Sequence, residues 1–445
     1  RNRTSFEATS GYSNVDLWLH FEKEFGLETP HAPDPLFMAS IQQLLDAVRS
    51  RLEITSFEIP VIEFSGPPDS LPVIFDRLNT GGTKLAKYDI LAASWDGKYV
   101  RIQRRDLIEA IKQKYRDLLS LGLELEAVED QRFEDFDEFS RYSIFEYVFA
   151  IGRCLKNGFP NLYGRSREIT TDVDSVGFTL VTLCSGLKIT QLEGFADVLL
   201  RIDDTSAYYR ALEAATFFVQ EALDPCVAFP MDREPRRRLP HPEFQIASLV
   251  ASTFRLMFND AIEPKEQWAA AKAAIGKNIR QWYAYDVLRR HWRSTGDSKS
   301  YDAVKGPQIL EPVPMDAMTS SLDAWFQEAL QSRKQELQAA SRCVLKTIAY
   351  SKLRTMPGYG KKFSMVQLMS PDEMRGSGMT PVNPANILLL NPDTQRIFDP
   401  CGLSGHRPTR GQAVSSFLEG RYSHMRKRFL DALYDAADNP HSAPE

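Results

Sequence analysis

Cysteine is scarce in this sequence, and long apolar runs are missing. The five cysteines among 445 residues are scattered, odd in number and never spaced as Cys-x-x-Cys. This pattern excludes a disulfide framework or a zinc knuckle as the organising device, and it indicates reduced thiols in a cytoplasmic protein. The most apolar run, residues 144–151, contains Glu146 and is followed by Arg153. It falls short of the roughly 20 apolar residues that a membrane span requires, so we expect no membrane partner.

Several signatures of nucleotide and acyl chemistry are also missing. The sequence contains no G-x-x-x-x-G-K-S/T phosphate loop, no G-x-G-x-x-G after a strand and no G-x-S-x-G elbow. These absences exclude the P-loop NTPases, dinucleotide-binding domains and α/β-hydrolases that carry those signatures.

The composition is that of an ordinary globular chain, with 43% hydrophobic residues, 25% charged residues and a net charge of −5. A chain of this length is expected to form two or three domains. The charge excludes a small, wholly basic DNA-binding domain. A local basic groove on a larger protein remains compatible with it.

The hydrophobic periods predict an α+β chain that is mostly α. Residues 56–64 are rich in β-branched and aromatic side chains and predict a strand, whereas almost all of 101–310 has helical spacing. Further helices are predicted over 320–353 and 412–437, with a compact ββα-like unit over 363–399 between them. We therefore predict a small mixed sheet within residues 1–100, a helical scaffold over 101–315 and a C-terminal module over 316–445.

Two adjacent glycines separate two predicted helices in the N-terminal region. Gly81 and Gly82 follow Asn79 and precede Lys84, and Arg77 lies just upstream. Successive N–H groups at such a turn can form an anion-binding nest, which the following helix N-terminus and the two cations would strengthen. These five residues are therefore candidates for binding a nucleotide or another anion. The simpler interpretation is a Gly-Gly turn in which Asn79 caps a helix.

Basic residues gather in places suited to phosphate contacts. The candidate DNA contacts are Arg236, Arg237 and Arg238 in a Pro-bounded loop, and Arg421, Arg426, Lys427 and Arg428 largely off the apolar face of the last predicted helix. Residues 289–293 form a further basic cluster that contains a tryptophan. The alternative for each cluster is a solvated loop or helix face. His241, His291, His406 and His424 stand alone, a pattern typical of structural or surface histidines.

In the C-terminal region, the stretch 365–371, which contains Val366 and Gln367, precedes a second stretch, 383–395, which contains Asn386 and Gln395. This arrangement resembles the HNH (ββα-metal) nuclease module. In that module a histidine on the first strand is the general base, and an adjacent Asp and a third group on the following helix hold one divalent metal. The resemblance assigns the loop-fixing middle position to Asn386 and the third position to Gln395. Gln367 then replaces the histidine and Val366 the Asp.

Gln is not a base near pH 7 and Val is not a metal ligand. On this resemblance we predict an inactive module that binds no metal. The alternative is that residues 363–399 are an unrelated β-hairpin with a turn.

The whole chain resembles the GmrSD family of DNA-targeting defence proteins. The stretch from Phe75 to Leu85 is similar to the family segment F-x-R-L-N-x-G-G-x-x-L, and a strand with the pair Ile59-Pro60 precedes it. The resemblance implies a ParB/sulfiredoxin-like N-terminal domain and a GmrD-like, HNH-type C-terminal domain. The family also has an upstream Asp-Gly-Gln-Gln-Arg motif linked to nucleotide hydrolysis, which this sequence does not contain. Either the motif precedes Arg1 in the native protein or it is absent, and only the first case implies nucleoside triphosphate and Mg²⁺ as cofactors.

Two functions from different classes are therefore open. The first is a type IV restriction-like defence protein that binds modified or foreign DNA through an HNH module that is inactive, or that cuts only with help from another subunit. DNA is its expected partner, and a nucleotide, a second copy of the chain or a partner subunit are further options. The second is an active nucleotide hydrolase or metal-dependent DNA endonuclease whose catalytic residues lie elsewhere, with His406 and His424 nearest the motif.

Overall fold

The computed structural model describes fourteen stretches of the chain, three of them a single residue or a residue pair. They are residues 39, 42–43, 91–92, 94–120, 141–164, 175–202, 204–227, 241–293, 296–331, 335–354, 363–376, 383–391, 393–403 and 413–434. The chain divides into two compact units, Arg1–Pro67 and Pro68–Glu445. Nearly all described residues belong to the second unit, and the strand predicted at 56–64 lies outside them. Among the described helices, none is both long and apolar enough to cross a membrane.

The described part is mostly helical, as the hydrophobic periods predicted, and it contains two small antiparallel sheets. The helices are α1 (Arg105–Ser120), α2 (Ile144–Gly158), α3 (Pro160–Tyr163), α4 (Ser175–Cys184), α5 (Phe195–Leu199), α6 (Thr205–Val227), α7 (Glu243–Met257), α8 (Trp268–Arg289), α9 (Gly296–Lys305), α10 (Met315–Gln331), α11 (Gln335–Arg354), α12 (Pro371–Gly376) and α13 (Val414–Tyr434). The strands are β1 (Tyr99–Arg101), β2 (Arg141–Ser143), β3 (Ser364–Gln367), β4 (Ile387–Leu390) and β5 (Ile397–Phe398).

Strands β1 and β2 pair antiparallel, with Val100 opposite Tyr142. The chain turns directly from β2 into α2 through a capping box. The Glu146 amide donates to Ser143 Oγ at 3.1 Å, and the Ser143 amide donates to Glu146 Oε2 at 2.8 Å. These two bonds satisfy backbone donors that a helix start otherwise leaves unpaired, so they fix the point at which α2 begins.

Helix α4 is the centre of the helical region because it is apolar on every side. Its residues from Val176 to Cys184 are all buried, as expected for a helix without a polar face. It packs between α2 and α7. A Cβ on Gly177 would collide with the Val148 carbonyl and lie 2.8 Å from the Gly152 amide nitrogen. Glycine therefore allows α2 and α4 to approach closely.

A second layer joins the helical region to the C-terminal part. Helix α6 packs against α7, α8 and α11, and α11 in turn packs against α8 and α13. The single helix predicted over 320–353 is two helices, α10 and α11, which lie on either side of residues 332–334. Helix α11 therefore belongs to the core of the helical layer. The domain boundaries predicted after residues 100 and 315 stay predictions.

The C-terminal strands form a sheet in the order β3-β4-β5, with both pairs antiparallel. In the compact unit predicted over 363–399, the described residues form a three-stranded sheet and the short helix α12. Helix α13 packs against the 3-10 turn Pro384–Asn386 that leads into β4.

Candidate functional site

Asn386 holds the loop that follows β3. Its side chain is completely buried, and its Oδ1 accepts from the Met369 amide at 2.9 Å while its Nδ2 donates to the Met369 carbonyl at 3.2 Å. The Asn386 carbonyl also accepts from the Leu368 amide at 2.9 Å. A buried amide that is paired on both its donor and its acceptor side fixes the backbone it contacts. Asn386 therefore acts as a clamp between the end of β3 and the start of β4.

Val366 and Gln367 lie at the clamped end of this strand pair, where they face Leu388 and Ile387 of β4. Both side chains are half-buried. Because successive residues of a strand point to opposite faces, Val366 and Gln367 project from different sides of the sheet. Both residues lie on one strand, but their side chains do not share a face. Their assignment to the positions of an HNH module stays a prediction.

Gln395 lies at the other end of β4, and this corrects its predicted place on a following helix. It belongs to the turn between β4 and β5, next to the pair Leu390 and Ile397. The three residue steps from Ile387 to Leu390 alone span roughly 10 Å. The structure therefore does not bring Gln395 together with Val366 and Gln367.

The turn at Gln395 is set by Asn391, which is buried. Asn391 Oδ1 accepts from the amides of Asp393 at 2.9 Å and Thr394 at 2.8 Å, and the Gln395 amide donates to the Asn391 carbonyl at 3.1 Å. Gln395 takes a left-handed φ of 54° to close the turn. An asparagine that binds its own following amides favours a turn over a helix start, which is the physical reason for the correction.

Arg421 is buried, and this corrects its prediction as a DNA contact. Its side chain is 1% exposed and forms a two-pronged ion pair with Asp399, with N···O distances of 2.6 and 3.2 Å. Its Nε donates to the Ala385 carbonyl at 2.7 Å. The same carboxylate accepts from the Cys401 and Leu403 amides at 2.9 and 3.0 Å. The three hydrogen bonds that the structure gives the Arg421 guanidinium all go to groups of the fold itself.

The spacing of α13 contained a signal that predicted this burial. Arg421 is four residues after Phe417 and four before Met425, both of them buried. Positions four apart share one helix face, so Arg421 belongs to the buried stripe rather than to the polar face.

The other three basic residues of α13 differ in how far they are engaged. Arg426 forms an ion pair with Asp323 of α10 at 3.1 Å, with both side chains 40% exposed. Arg428 is half-buried and donates to the carbonyls of Asp399 and Pro400, both at 3.0 Å. Lys427 is exposed and forms no ion pair with any other described residue. Of the predicted DNA contacts on α13, it is the one most available to a phosphate.

No family model, no curated protein and no solved structure matches this chain.

The remaining predicted site residues lie outside the described part of the chain. These are Arg77, Asn79, Gly81, Gly82 and Lys84 of the N-terminal motif, Arg236, Arg237 and Arg238 of the basic loop, and His406. Their assignments stay predictions.

The isolated histidines that the structure describes have ordinary roles. His241 is buried, and its Nε2 donates to the Leu162 carbonyl at 2.9 Å while its Nδ1 accepts from the Tyr283 hydroxyl at 2.8 Å. Burial lowers the pKa of His241 to about 4, so the ring is neutral at physiological pH. His424 is exposed on α13. Within the described residues, no three His, Cys, Asp or Glu side chains are grouped in a way that could hold a metal ion.

The basic cluster at residues 289–293 is also tied into the fold. Arg290 pairs with Glu328 of α10 at 2.6 Å, and Trp292 Nε1 donates to Asp286 at 2.7 Å. The Arg289 guanidinium lies 4.9 Å from the centre of the Tyr285 ring. These contacts favour a structural role for the cluster over phosphate binding.

Proposed function

We propose that this chain is a GmrSD-like, DNA-binding protein whose C-terminal module keeps the strand-pair frame of an HNH nuclease without its chemistry. It binds modified or foreign DNA and does not cut it. The observation that carries the proposal is the Asn386 clamp across the end of the β3–β4 pair, next to Val366 and Gln367. A middle asparagine that fixes this loop is what the resemblance to HNH modules implies.

The chemistry of the clamped strand supports binding without cleavage. Gln367 carries an amide, which neither takes nor gives a proton near pH 7, and Val366 carries no donor atom for a metal. Loss of a general base typically slows a reaction by about 10²–10⁴-fold. The position of Gln395 at the far end of β4 removes the third group as well.

The exposed edge of α13 is the proposed contact with DNA. Lys427 is open to solvent. Arg426 forms an ion pair with Asp323 in which both partners are 40% exposed, and its guanidinium lies 6.0 Å from the centre of the Tyr422 ring. Exposed ion pairs are worth about 0–1 kcal/mol, so a DNA phosphate can replace the Asp323 carboxylate at little cost. Arg421 is excluded from this surface because it is buried against Asp399.

The proposal predicts a specific loss when Lys427 is replaced by alanine. Binding of the full chain to a fluorescent DNA duplex, measured by anisotropy over a salt series, should weaken, and the slope of log affinity against log salt should fall by about 1. The matched control is Lys272→Ala, which removes an exposed lysine from α8. Equal binding by both variants and the parent would place the DNA contact elsewhere, and no binding by the parent would refute the proposal.

The competing function, an active nuclease or nucleotide hydrolase, is tested with the same protein. Modified and unmodified plasmids are incubated with Mg²⁺ or Mn²⁺, with and without nucleoside triphosphate. We expect no cleavage of either plasmid. When the modified and unmodified plasmids compete for the protein, it should bind one of them more tightly. Metal-dependent cutting that His424→Ala abolishes would instead support the nuclease and place its active site at that histidine.

A further inference from the structure

A cavity of about 320 Å³ lies in the helical region, where α4 and α7 end. Its apolar lining residues include Cys184, Val198, Ile202, Phe254, Phe258 and Ile262. The volume is at the small end of the range for ligand pockets, roughly 300–1,000 Å³. None of its lining residues belongs to the C-terminal module, so the cavity is separate from the proposed DNA contact.

Two hydroxyl groups in the lining have unused hydrogen-bonding capacity. The oxygens of Tyr208 and Ser185 are both buried and lie near each other, and neither has a further hydrogen-bond partner in the described part of the chain. Tyr208 is 2% exposed, and its ring packs against Phe195 and Phe254. A buried hydroxyl without a partner is costly, so a group that fills the cavity and bonds to it is favoured. Burial raises the pKa of Tyr208 well above its usual value, which keeps the hydroxyl protonated as a donor.

Two guanidinium groups stand at the rim of the cavity. Arg201 and Arg255 are exposed lining residues, and neither forms an ion pair with another residue that the structure describes. A Cβ on Gly186 would lie 2.7 Å from the Arg255 guanidinium, so this group lies across the end of α4. Lys265 also lines the cavity, and Asp260 is the carboxylate among these charges. The rim therefore has an excess of positive charge.

A strained residue forms one wall of the cavity. Ile262 has a φ of 65°, a left-handed conformation that β-branched residues rarely adopt. Asn259 holds the loop in this shape, because its Oδ1 accepts from the amides of Ala261 at 3.0 Å and Glu263 at 2.9 Å. Backbone strain that the surrounding structure enforces is typical of ligand-binding sites.

We propose that this cavity binds a small organic anion with a compact apolar body. The body lies against Phe254, Phe258 and Ile262, a polar atom accepts from the Tyr208 and Ser185 hydroxyls, and the anionic group faces Arg201 and Arg255. A carboxylate and a phosphate monoester share this chemistry, and the probes below distinguish them.

The test uses the full chain and four probes: phenylacetate, isocaproate, benzyl phosphate and the neutral phenylacetamide. Binding is measured by calorimetry and by the rise in Tm that a ligand of the native state causes. We expect saturable binding of at least one anion and weaker binding of the amide. Phenylacetate or isocaproate would identify a carboxylate site, and benzyl phosphate a phosphate site.

Two variants tie the binding to the cavity. Tyr208→Phe keeps the ring and removes the unpaired hydroxyl, and it should weaken binding of the preferred anion by about tenfold. Arg255→Gln should weaken binding of the anion and leave binding of phenylacetamide unchanged. The control is Arg210→Gln, an exposed arginine of α6 that pairs with Asp204 and lies outside the lining. If Tyr208→Phe does not fold, Ser185→Ala tests the same prediction, because it also removes a lining hydroxyl and should also weaken binding of the anion.

Three results would overturn the proposal. They are no binding of any anion at millimolar concentration, equal binding of the amide, and unchanged affinity in Tyr208→Phe and Arg255→Gln. If no anion binds, the Tyr208 and Ser185 hydroxyls face only water in the cavity.

Discussion

At the scale of the residue, His241 shows how an apolar interior retains a polar ring. Both ring nitrogens are hydrogen-bonded, to the Leu162 carbonyl and the Tyr283 hydroxyl. The Nε2 proton is assigned by its partner, because a carbonyl only accepts. Desolvation outweighs that hydrogen bond and lowers the pKa of the ring from 6.5 to about 4.

This shift predicts a dependence of stability on pH. Between about pH 6.5 and 4 the unfolded chain binds a proton at His241 and the folded chain does not, so acid favours unfolding. The contribution of His241 is fully present above pH 6.5 and is lost as the pH falls to about 4, by at most about 3 kcal/mol. Measured as Tm against pH, the His241→Gln chain should lose less stability over this range than the parent. Parallel curves would contradict the prediction.

At the scale of the element, α13 contributes to two ion pairs that differ strongly in solvent exposure. Arg421–Asp399 is buried, whereas Arg426–Asp323 has both side chains 40% exposed. The difference in burial decides what each pair contributes, because an unpaired charge is costly only where water cannot reach it.

Removing each arginine separately tests that difference. Arg421→Ala leaves the Asp399 carboxylate buried without its partner and should cost about 3–5 kcal/mol. Arg426→Ala should cost about 0–1 kcal/mol and is the matched control from the same helix. The measurement is the denaturant midpoint of the full chain, followed by circular dichroism. Similar losses for both variants would show that Asp399 gains solvent when Arg421 is removed.

The elements also show which features the sequence could predict. The helical spacing over 101–310 predicted helices such as α1 and α7, because an amphipathic or apolar period of 3.6 is a local property of the chain. The turn at Gln395 and the pairing of Arg421 with Asp399 depend on partners that the period does not identify. The clamp made by Asn386 was expected only from a family resemblance, since composition and spacing say nothing about which backbone an asparagine will bind.

At the scale of the whole molecule, the C-terminal strands and the helical layer share one compact unit. Helix α11 is the joint between them. Its residues Val344, Leu345 and Ile348 are buried, and Thr347 Oγ1 lies 3.4 Å from Cys226 Sγ of α6. The net charge of −5 repels DNA at long range, so the proposed association must depend on local basic surfaces such as that of α13.

This joint predicts that the C-terminal part will not fold alone. A fragment of residues 316–445 would expose the face of α11 that α6 and α8 cover, and each buried aliphatic side chain contributes about 1.5–3 kcal/mol. We expect non-cooperative thermal unfolding of the fragment by calorimetry, in contrast to a fragment of residues 68–445. A sharp transition for 316–445 would show instead an autonomous domain.

The hydrogen bonds of Asp399 determine which segments of the C-terminal part must unfold together. One carboxylate holds the amides of Cys401 and Leu403 and the guanidinium of Arg421, which in turn holds the Ala385 carbonyl. If either Asp399 or Arg421 moved away, the other charge would be left buried without its ionic partner. Strand β5, the loop after it and the middle of α13 therefore form one cooperative opening unit, so that fraying at either end of the helix stops where it reaches Arg421.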